Sequence, residues 1–185
     1  MDKKVALIGS GNAFFKDEGL GLYGAKYIKE NYDFSPTIEI VDGGTLGFKL
    51  MPLLQEFDEV IIINTASDET LDIGTISIKT TDEFLDGSLI KKTANEVEIA
   101  EMLQICSLTE AMAETTVISM VPKDIISVEV ALSSEIEALW MEYIGVTLDK
   151  LKSLGIKVTK KNKECTLQTV LDIFANPSIE HSRGF

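Results

Sequence analysis

Apolar and polar residues follow two patterns along this chain, one typical of strands and the other of helices. The runs over 5–8 and 59–63 are apolar almost throughout, as in strands buried on both faces. Elsewhere apolar residues recur every three or four positions, which predicts amphipathic helices. The predicted strands cover residues 5–8, 37–41, 59–64, 76–80 and 115–121, with a short edge strand over 155–158. The predicted helices cover 20–28, 46–54, 91–108 and 134–154, with one further helical stretch around 166–174.

The alternation of these strands and helices predicts the fold class. Strands that alternate with helices form a mostly parallel sheet covered on both faces, so we expect a three-layer α/β/α domain with about five or six strands. The strand over 76–80 follows a connection without a helix, which allows it to run antiparallel. We interpret residues 1–159 as one α/β domain and residues 160–185 as a C-terminal appendix that includes the last helical stretch.

Glycine-rich loops follow the first two predicted strands, over residues 9–12 and 42–45. Glycine permits the positive φ angles of tight turns, and open α/β sheets bind ligands at the carboxyl ends of their strands. Acidic and amide side chains lie at or just after these ends, and we expect them to share a cleft: Asp17, Glu18, Asp42, Asn64 and Asp68. The alternative is that each is a cap or turn residue, with Asp17 as the N-cap of the first helix.

Composition excludes several classes of function. The chain has 17 basic and 30 acidic residues and a net charge of −13, which argues against a nucleic-acid or anionic-membrane surface. Its two cysteines, Cys106 and Cys165, have no disulfide-framework or zinc-cluster spacing. Because no apolar run reaches the length of a membrane span and the first is too short for a signal peptide, we expect a cytoplasmic protein.

The common catalytic motifs are absent or incomplete. The first loop has the first two glycines of a dinucleotide-binding fingerprint, but Phe14 stands where the third is expected. A nucleotide-binding α/β domain, with Asp42 as the ribose-binding acid, is therefore kept as an alternative. The lone histidine, His181, lies in the polar appendix, and Cys106 is interpreted as a core residue. What remains for chemistry is the set of carboxylates and amides at the strand ends.

Several motifs occur here in the order found in one known family. They are Gly9-Ser-Gly-Asn12, Asp17-Glu-Gly-Leu-Gly21 and Val41-Asp-Gly-Gly-Thr-Leu-Gly47, followed by Asn64, Ile73-Gly-Thr75, Ala100-Glu-Met-Leu103, Val121-Pro122 and Leu132-Ser133. Over roughly the first four-fifths of its length, the chain resembles the hydrogenase maturation proteases. The resemblance implies a phosphorylase/hydrolase-like α/β fold. It also implies an endopeptidase that removes the C-terminal extension of the NiFe-hydrogenase large subunit after metal insertion.

The resemblance also implies a metal position held by a glutamate, an aspartate and a histidine, with nickel supplied by the substrate. The glutamate falls on Glu18, whereas Asn64 stands in the place of the aspartate and Asn95 in that of the histidine. Amide oxygens are neutral and bind divalent ions more weakly than carboxylate or imidazole, so we expect low nickel affinity from the chain itself. Asp68 could replace the missing aspartate if its loop folds back.

Two hypotheses follow from this resemblance. In the first, the chain is a divergent metal-dependent peptidase with Glu18, Asp17 and Asp68 as its catalytic residues. In the second, it is a non-catalytic paralogue that binds the hydrogenase large-subunit precursor as an assembly factor. Both use the glycine loops as the substrate-binding surface, through Gly11, Asn12, Asp42, Gly43, Gly44 and Thr45.

Overall fold

The computed structural model of the protein describes residues 3–45, 47–86, 93–109 and 112–178. Its strands are β1 Val5–Ser10, β2 Tyr32–Ser35, β3 Glu39–Gly44, β4 Glu59–Thr65, β5 Ile76–Thr80, β6 Glu114–Met120 and β7 Lys157–Lys160. Its α-helices are α1 Leu20–Asn31, α2 Met51–Glu56, α3 Thr81–Asp86, α4 Ala94–Ser107, α5 Ser134–Ala138, α6 Trp140–Ser153 and α7 Leu167–Ala175. Short 3₁₀ helices, Lys16–Gly19 and Gly47–Leu50, precede α1 and α2.

The predicted α/β fold with a mostly parallel sheet is confirmed. Within the described ranges, the main sheet has five strands in the order β3-β1-β4-β6-β5. The pairs β1–β3, β1–β4 and β4–β6 are parallel, and β5 runs antiparallel to β6. The antiparallel direction of the 76–80 strand follows from its direct connection, which contains no crossover helix.

Alternate residues of the central strands enter two separate cores. In β1, Leu7 packs into the cluster beneath α1 and α6, whereas Ile8 packs into the cluster on the opposite face with α4. Ile61 and Ile62 of β4 divide between the same two clusters. Because successive strand side chains point to opposite faces, a strand covered on both sides must be apolar throughout. The apolar runs of β1 and β4 therefore reflect the three-layer packing.

Two sequence-based assignments were wrong around the small sheet. Residues 32–36 were left outside the predicted strands and helices, but Tyr32–Ser35 forms β2, which pairs antiparallel with β7. The last strand was expected at an edge of the main sheet, and it instead belongs to this two-stranded sheet. A four-residue strand before a proline shows too short an alternation to be distinguished from a turn.

The helix predicted over 134–154 is divided in two. Leu139 leaves helical geometry, at φ −101° and ψ 3°, between α5 and α6. The apolar spacing continues through this break, so periodicity alone could not reveal it. Ser133 precedes α5 without capping it through its side chain, which is engaged elsewhere. In the second helix, Pro52 is tolerated because it lies in the first turn of α2.

The helical stretch predicted near the C-terminus is confirmed as α7. Val170 and Leu171 are buried in the same cluster as α1, and the ring centroids of Phe174 and Tyr23 are 5.2 Å apart. The division of the chain at residue 159 stays a prediction. In the described part of the chain, no helix has both the length and the apolar character required to cross a membrane.

Candidate active site

The carboxyl ends of the parallel strands bring the predicted site residues to one edge of the sheet. The 3₁₀ helix Lys16–Gly19 carries Asp17 and Glu18 over this edge, and α1 begins immediately after it. A Cβ atom at Gly21 would clash with the carbonyl oxygens of Ile63 and Ser10. Glycine at this position therefore lets α1 start directly above the ends of β1 and β4.

The first glycine loop is closed by its own backbone. Gly11 has a φ of 151°, and a Cβ atom there would clash with the carbonyl oxygen of Glu18. The N–H of Gly11 donates to the Gly44 carbonyl (2.9 Å), and that of Asn12 donates to the Glu18 carbonyl (3.1 Å). The side chain of Asn12 accepts from the N–H of Phe14 at 3.0 Å. Because these amides are already hydrogen-bonded, the loop does not offer them to a phosphate, which argues against the nucleotide alternative.

Asp17 is fully buried and is held by four hydrogen bonds. Its carboxylate accepts from the backbone N–H groups of Lys123 (3.0 Å), Asp124 (2.8 Å) and Ser133 (2.7 Å). The Ser133 hydroxyl donates the fourth bond, at 2.8 Å. The alternative role of Asp17 as the N-cap of α1 is wrong, because the N-cap is Gly19 and the Asp17 carboxylate instead bonds the segment after β6. The geometry makes it a positioning residue for the loop that carries Glu18.

Glu18 is half-buried and points toward the start of α4. Burial raises the pKa of its carboxyl group, a hydrogen bond from Thr93 lowers it, and the nearby charge of Glu96 raises it further. The balance is a pKa above the ordinary glutamate value, and a shifted carboxylate at the ligand-binding edge of the sheet is a candidate functional residue.

The N-terminus of α4 joins the loops around Glu18. Thr93 and Glu96 form a capping box, and Glu96 also accepts from the N–H of Ser67, just after β4, at 3.0 Å. Asn95 donates to the Ser10 hydroxyl at 2.6 Å, and this hydroxyl donates to the Gly44 carbonyl at 3.3 Å. No role was predicted from the sequence for Thr93, Glu96 or Ser10. The Thr-x-x-Glu pattern at 93–96 is typical of a capping box and could have indicated the first two residues.

Asn64 is fully buried at the end of β4. Its Oδ1 accepts from the Ser119 hydroxyl at 2.6 Å, and its backbone carbonyl accepts from the Tyr143 hydroxyl at 3.0 Å. The Nδ2 of Asn64 has no hydrogen-bond partner among the described residues. Since a hydroxyl can donate or accept, Ser119 is compatible with either orientation of the amide.

The remaining predicted residues lie farther out along the edge. Asp42 is exposed and accepts from the N–H of Gly44 at 2.9 Å, so it supports the turn formed with Gly43 and the half-buried Thr45. Asp68 accepts from the backbone and hydroxyl of Thr70, at 2.9 and 2.6 Å. It lines a cavity of about 20 Å³ together with Ser119, which places it on the β6 side of Asn64.

The residues present do not form a strong metal site of their own. In the described ranges, no group of three or more histidine, cysteine, aspartate or glutamate residues could hold a metal ion. Glu18 offers a charged oxygen, whereas Asn64 already bonds Ser119 and Asn95 already bonds Ser10. His181 lies outside the described residues. A divalent ion at this edge would therefore depend on ligands from elsewhere, including the molecule on which the protein acts.

A buried acid anchor, Asp17, and a half-buried glutamate, Glu18, lie together at the carboxyl edge of a parallel sheet, where α/β proteins bind their ligands. The family model for hydrogenase maturation proteases matches residues 23–150, more than half of the chain. The chain therefore belongs to the hydrogenase maturation protease family. The matched range contains Asn64 and Asn95 and begins shortly after Glu18.

Individual relatives support the same assignment. The hydrogenase expression/formation protein HupD of Rhizobium leguminosarum bv. viciae is 25% identical over 171 residues, covering 91% of this chain and 84% of HupD. The hydrogenase 2 maturation protease of Escherichia coli (strain K12) is 23% identical over 155 residues, covering 83% of this chain and 94% of the relative.

Solved structures show the same fold. The hydrogenase maturating endopeptidase HybD from E. coli superposes with a TM-score of 0.77 at 21% identity, covering 85% of this chain and 98% of HybD. The NiFe hydrogenase maturation protease HybD from Thermococcus kodakarensis has a TM-score of 0.64 at 21% identity, covering 80% of this chain and 98% of its own.

Proposed function

We propose that this protein is a maturation endopeptidase that cleaves the C-terminal extension from a hydrogenase large-subunit precursor. The observation that carries the proposal is the position of Glu18, which is half-buried at the carboxyl edge with a raised pKa. Membership of the family supplies the class of reaction. The proposed site of action is the cytoplasm.

Glu18 is suited to moving the proton in peptide hydrolysis. Water attacks the scissile carbonyl carbon while the Glu18 carboxylate accepts its proton. The resulting carboxylic acid then gives that proton to the leaving amine as the C–N bond breaks. A carboxylate with a raised pKa is a stronger base than an ordinary glutamate, which favours the first transfer.

Nickel enters this scheme as part of the substrate. The metal centre of the precursor would bring its own ligands, and one oxygen of the Glu18 carboxylate would face it while the other oxygen remains to accept the proton. The hydrogen bond from Thr93 orients the Glu18 carboxylate, and the capping box orients Thr93 in turn. In other metal sites, a complete set of protein ligands orients each side chain. Here Thr93 and its capping box would orient the Glu18 carboxylate instead.

The direct test is a mass spectrum of the nickel-loaded precursor after incubation with each form of the protein. We expect the wild type to remove the extension and Glu18→Gln to lower the rate by about a hundredfold or more, the usual contribution of a general base. Glu142→Gln, at an exposed position on α6, is the matched control and should cleave at the wild-type rate. Cleavage by Glu18→Gln at an unchanged rate would contradict the assignment.

The second candidate function, a non-catalytic assembly factor, is favoured by the two asparagines. Asn64 and Asn95 are buried amides bound to Ser119 and Ser10, and neither contributes charge to a metal. If the protein is an assembly factor, the wild type binds the precursor without cleaving it. The double substitution Asn64→Asp with Asn95→His should then gain nickel affinity, and each single substitution should gain less because a metal site needs several ligands together.

The same mass spectra separate the two functions, with calorimetry to measure nickel affinity. Cleavage by the wild type removes the assembly-factor hypothesis. Precursor binding without cleavage, followed by a gain of nickel affinity in the double variant, removes the peptidase hypothesis for the wild-type protein.

A further inference from the structure

The outer side of β3 is an unpaired sheet edge next to the site. In the described part of the chain, β3 pairs with β1 and with no other strand. The backbone N–H and C=O groups on its outer side therefore face away from the sheet. Such an edge is a template for an added strand.

Two adjoining cavities lie beside this edge. The first, about 430 Å³, is lined by Ile40 and Asp42 of β3, by Phe14 of the glycine loop and by Phe174 of α7. The second, about 220 Å³, is lined by Ile38 and Ile40 and shares Lys29 with the first. Both lie on the face of the sheet covered by α1. Together they follow β3 from residue 38 to residue 42.

This combination is suited to an extended peptide. A peptide strand on β3 would satisfy the outward backbone groups and direct every second side chain toward the cavities. Residues two apart on a strand are separated by about 6.6 Å, so consecutive side chains on this face would reach neighbouring cavities. Phe14, with 61% of its surface exposed, offers apolar contact at the mouth of the first cavity.

The carboxyl end of β3 is connected to the loop that carries Glu18. Gly44 accepts hydrogen bonds from the N–H of Gly11 and from the Ser10 hydroxyl, and Ser10 accepts from Asn95. Neighbouring strands are about 4.8 Å apart, so a peptide leaving β3 at Gly44 comes within a few residues of the β1 loop and Glu18.

We infer that the C-terminal extension of the precursor adds to the outer edge of β3 as an antiparallel strand, with alternate side chains in the two cavities. This inference rests on the proposed function. The direction follows from chemistry: the extension begins at the bond to be cut, which lies near Glu18, and continues from residue 43 back toward residue 38. The exposed side chain of Lys29 lies beside the cavities on this path and could contact a carboxylate of the peptide.

The opposite edge of the sheet supplies a control for the added charge, and Phe14→Ala covers the packing that Ile40, half-buried against the core, also contributes. Ile78 lies in β5, the other edge strand, and has 54% of its surface exposed. Ile40→Asp and Ile78→Asp therefore place the same charge on the two edges. Phe14→Ala is a second groove variant, and because Phe14 is exposed it tests the cavity without disturbing the core.

Binding is measured by fluorescence anisotropy in the Glu18→Gln background, so that cleavage does not interfere. The probe is a labelled peptide of about twenty residues from the C-terminus of the host's large-subunit precursor. We expect Ile40→Asp to weaken binding by about tenfold or more and Phe14→Ala by about threefold or more, with Ile78→Asp within about twofold of its parent. Hydrogen exchange should show the amides of residues 39–43 protected by the peptide and those of β5 unchanged.

Three outcomes would overturn the inference: protection of β5 instead of β3, unchanged affinity in both groove variants, or a dimer in light scattering that Ile40→Asp dissociates. The last result would assign the edge to a second copy of the chain. Cleavage by the wild type without protection of β3 would refute the inference and leave the peptidase standing. Protection of β3 without cleavage by any form would refute the peptidase function and leave the inference about β3 standing.

Discussion

Asp17 and Glu18 are adjacent acids in one 3₁₀ turn, and the structure gives them opposite environments. Asp17 is fully buried and accepts four hydrogen bonds, three of them from backbone N–H groups. Glu18 is half-buried, with the hydroxyl of Thr93 and the charge of Glu96 near its carboxylate. The Asp17 carboxylate is fully used in hydrogen bonds within the protein, whereas the Glu18 carboxylate remains available to a ligand.

The difference shows how this site is positioned. Asp17 links the loop after β1 to the segment after β6, over a separation of 106 to 116 residues. The backbone of Glu18 is thereby fixed without using the Glu18 side chain. A reactive group held by its neighbours keeps its geometry while its own oxygens stay free for chemistry.

The largest expected effect comes from removing the anchor. Asp17→Ala leaves three backbone N–H groups, one buried and two part-buried, and the buried Ser133 hydroxyl without their acceptor, so we expect the free energy of unfolding to fall by about 3 kcal/mol or more. Urea denaturation measures this change. Asp72→Ala, at an exposed aspartate, is the control and should change the value by less than about 0.5 kcal/mol. A loss at Asp17 no larger than that of the control would show that these bonds do not hold the loop.

Some features of the fold and site were predictable because they depend on local pattern. The apolar runs of β1 and β4 indicated strands covered on both faces, and the glycine loop over 9–12 indicated a tight turn, which Gly11 makes at a φ of 151°. The parallel arrangement then required the carboxyl ends to share one edge. None of these inferences needed knowledge of contacts between distant residues.

Other features depend on partners far away in the sequence. Asn95 bonds Ser10 across 85 residues, and Asn64 bonds Ser119 across 55. Nothing in a single sequence marks a serine as the partner of a particular amide. For the same reason Asp17 was read as a local cap, whereas its carboxylate binds residues more than one hundred positions later.

The smallest effect on stability should come from neutralising Glu18, and its size depends on pH. Burial, opposed by the Thr93 hydrogen bond and reinforced by Glu96, raises the folded-state pKa of Glu18 above its reference value of 4.5. Below that reference value, both the folded and the unfolded state are protonated. As pH rises, the unfolded state loses its proton first, so the free energy of unfolding declines until the folded-state pKa is passed.

Glu18→Gln removes this decline, because glutamine is neutral at every pH. We therefore expect the variant to match the wild type near pH 4 and to be more stable near pH 8, by less than about 1 kcal/mol since solvent screens a half-exposed carboxylate. Thermal denaturation at the two pH values measures the difference, with Glu142→Gln, at an exposed position on α6, as the control. If Glu18→Gln changes the stability by the same amount at both pH values, the effect comes from the shape of the side chain and not from its charge. A variant less stable at pH 8 would show that the Thr93 hydrogen bond outweighs the cost of burying the charge, and Glu18 would then resemble Asp17 as an anchor.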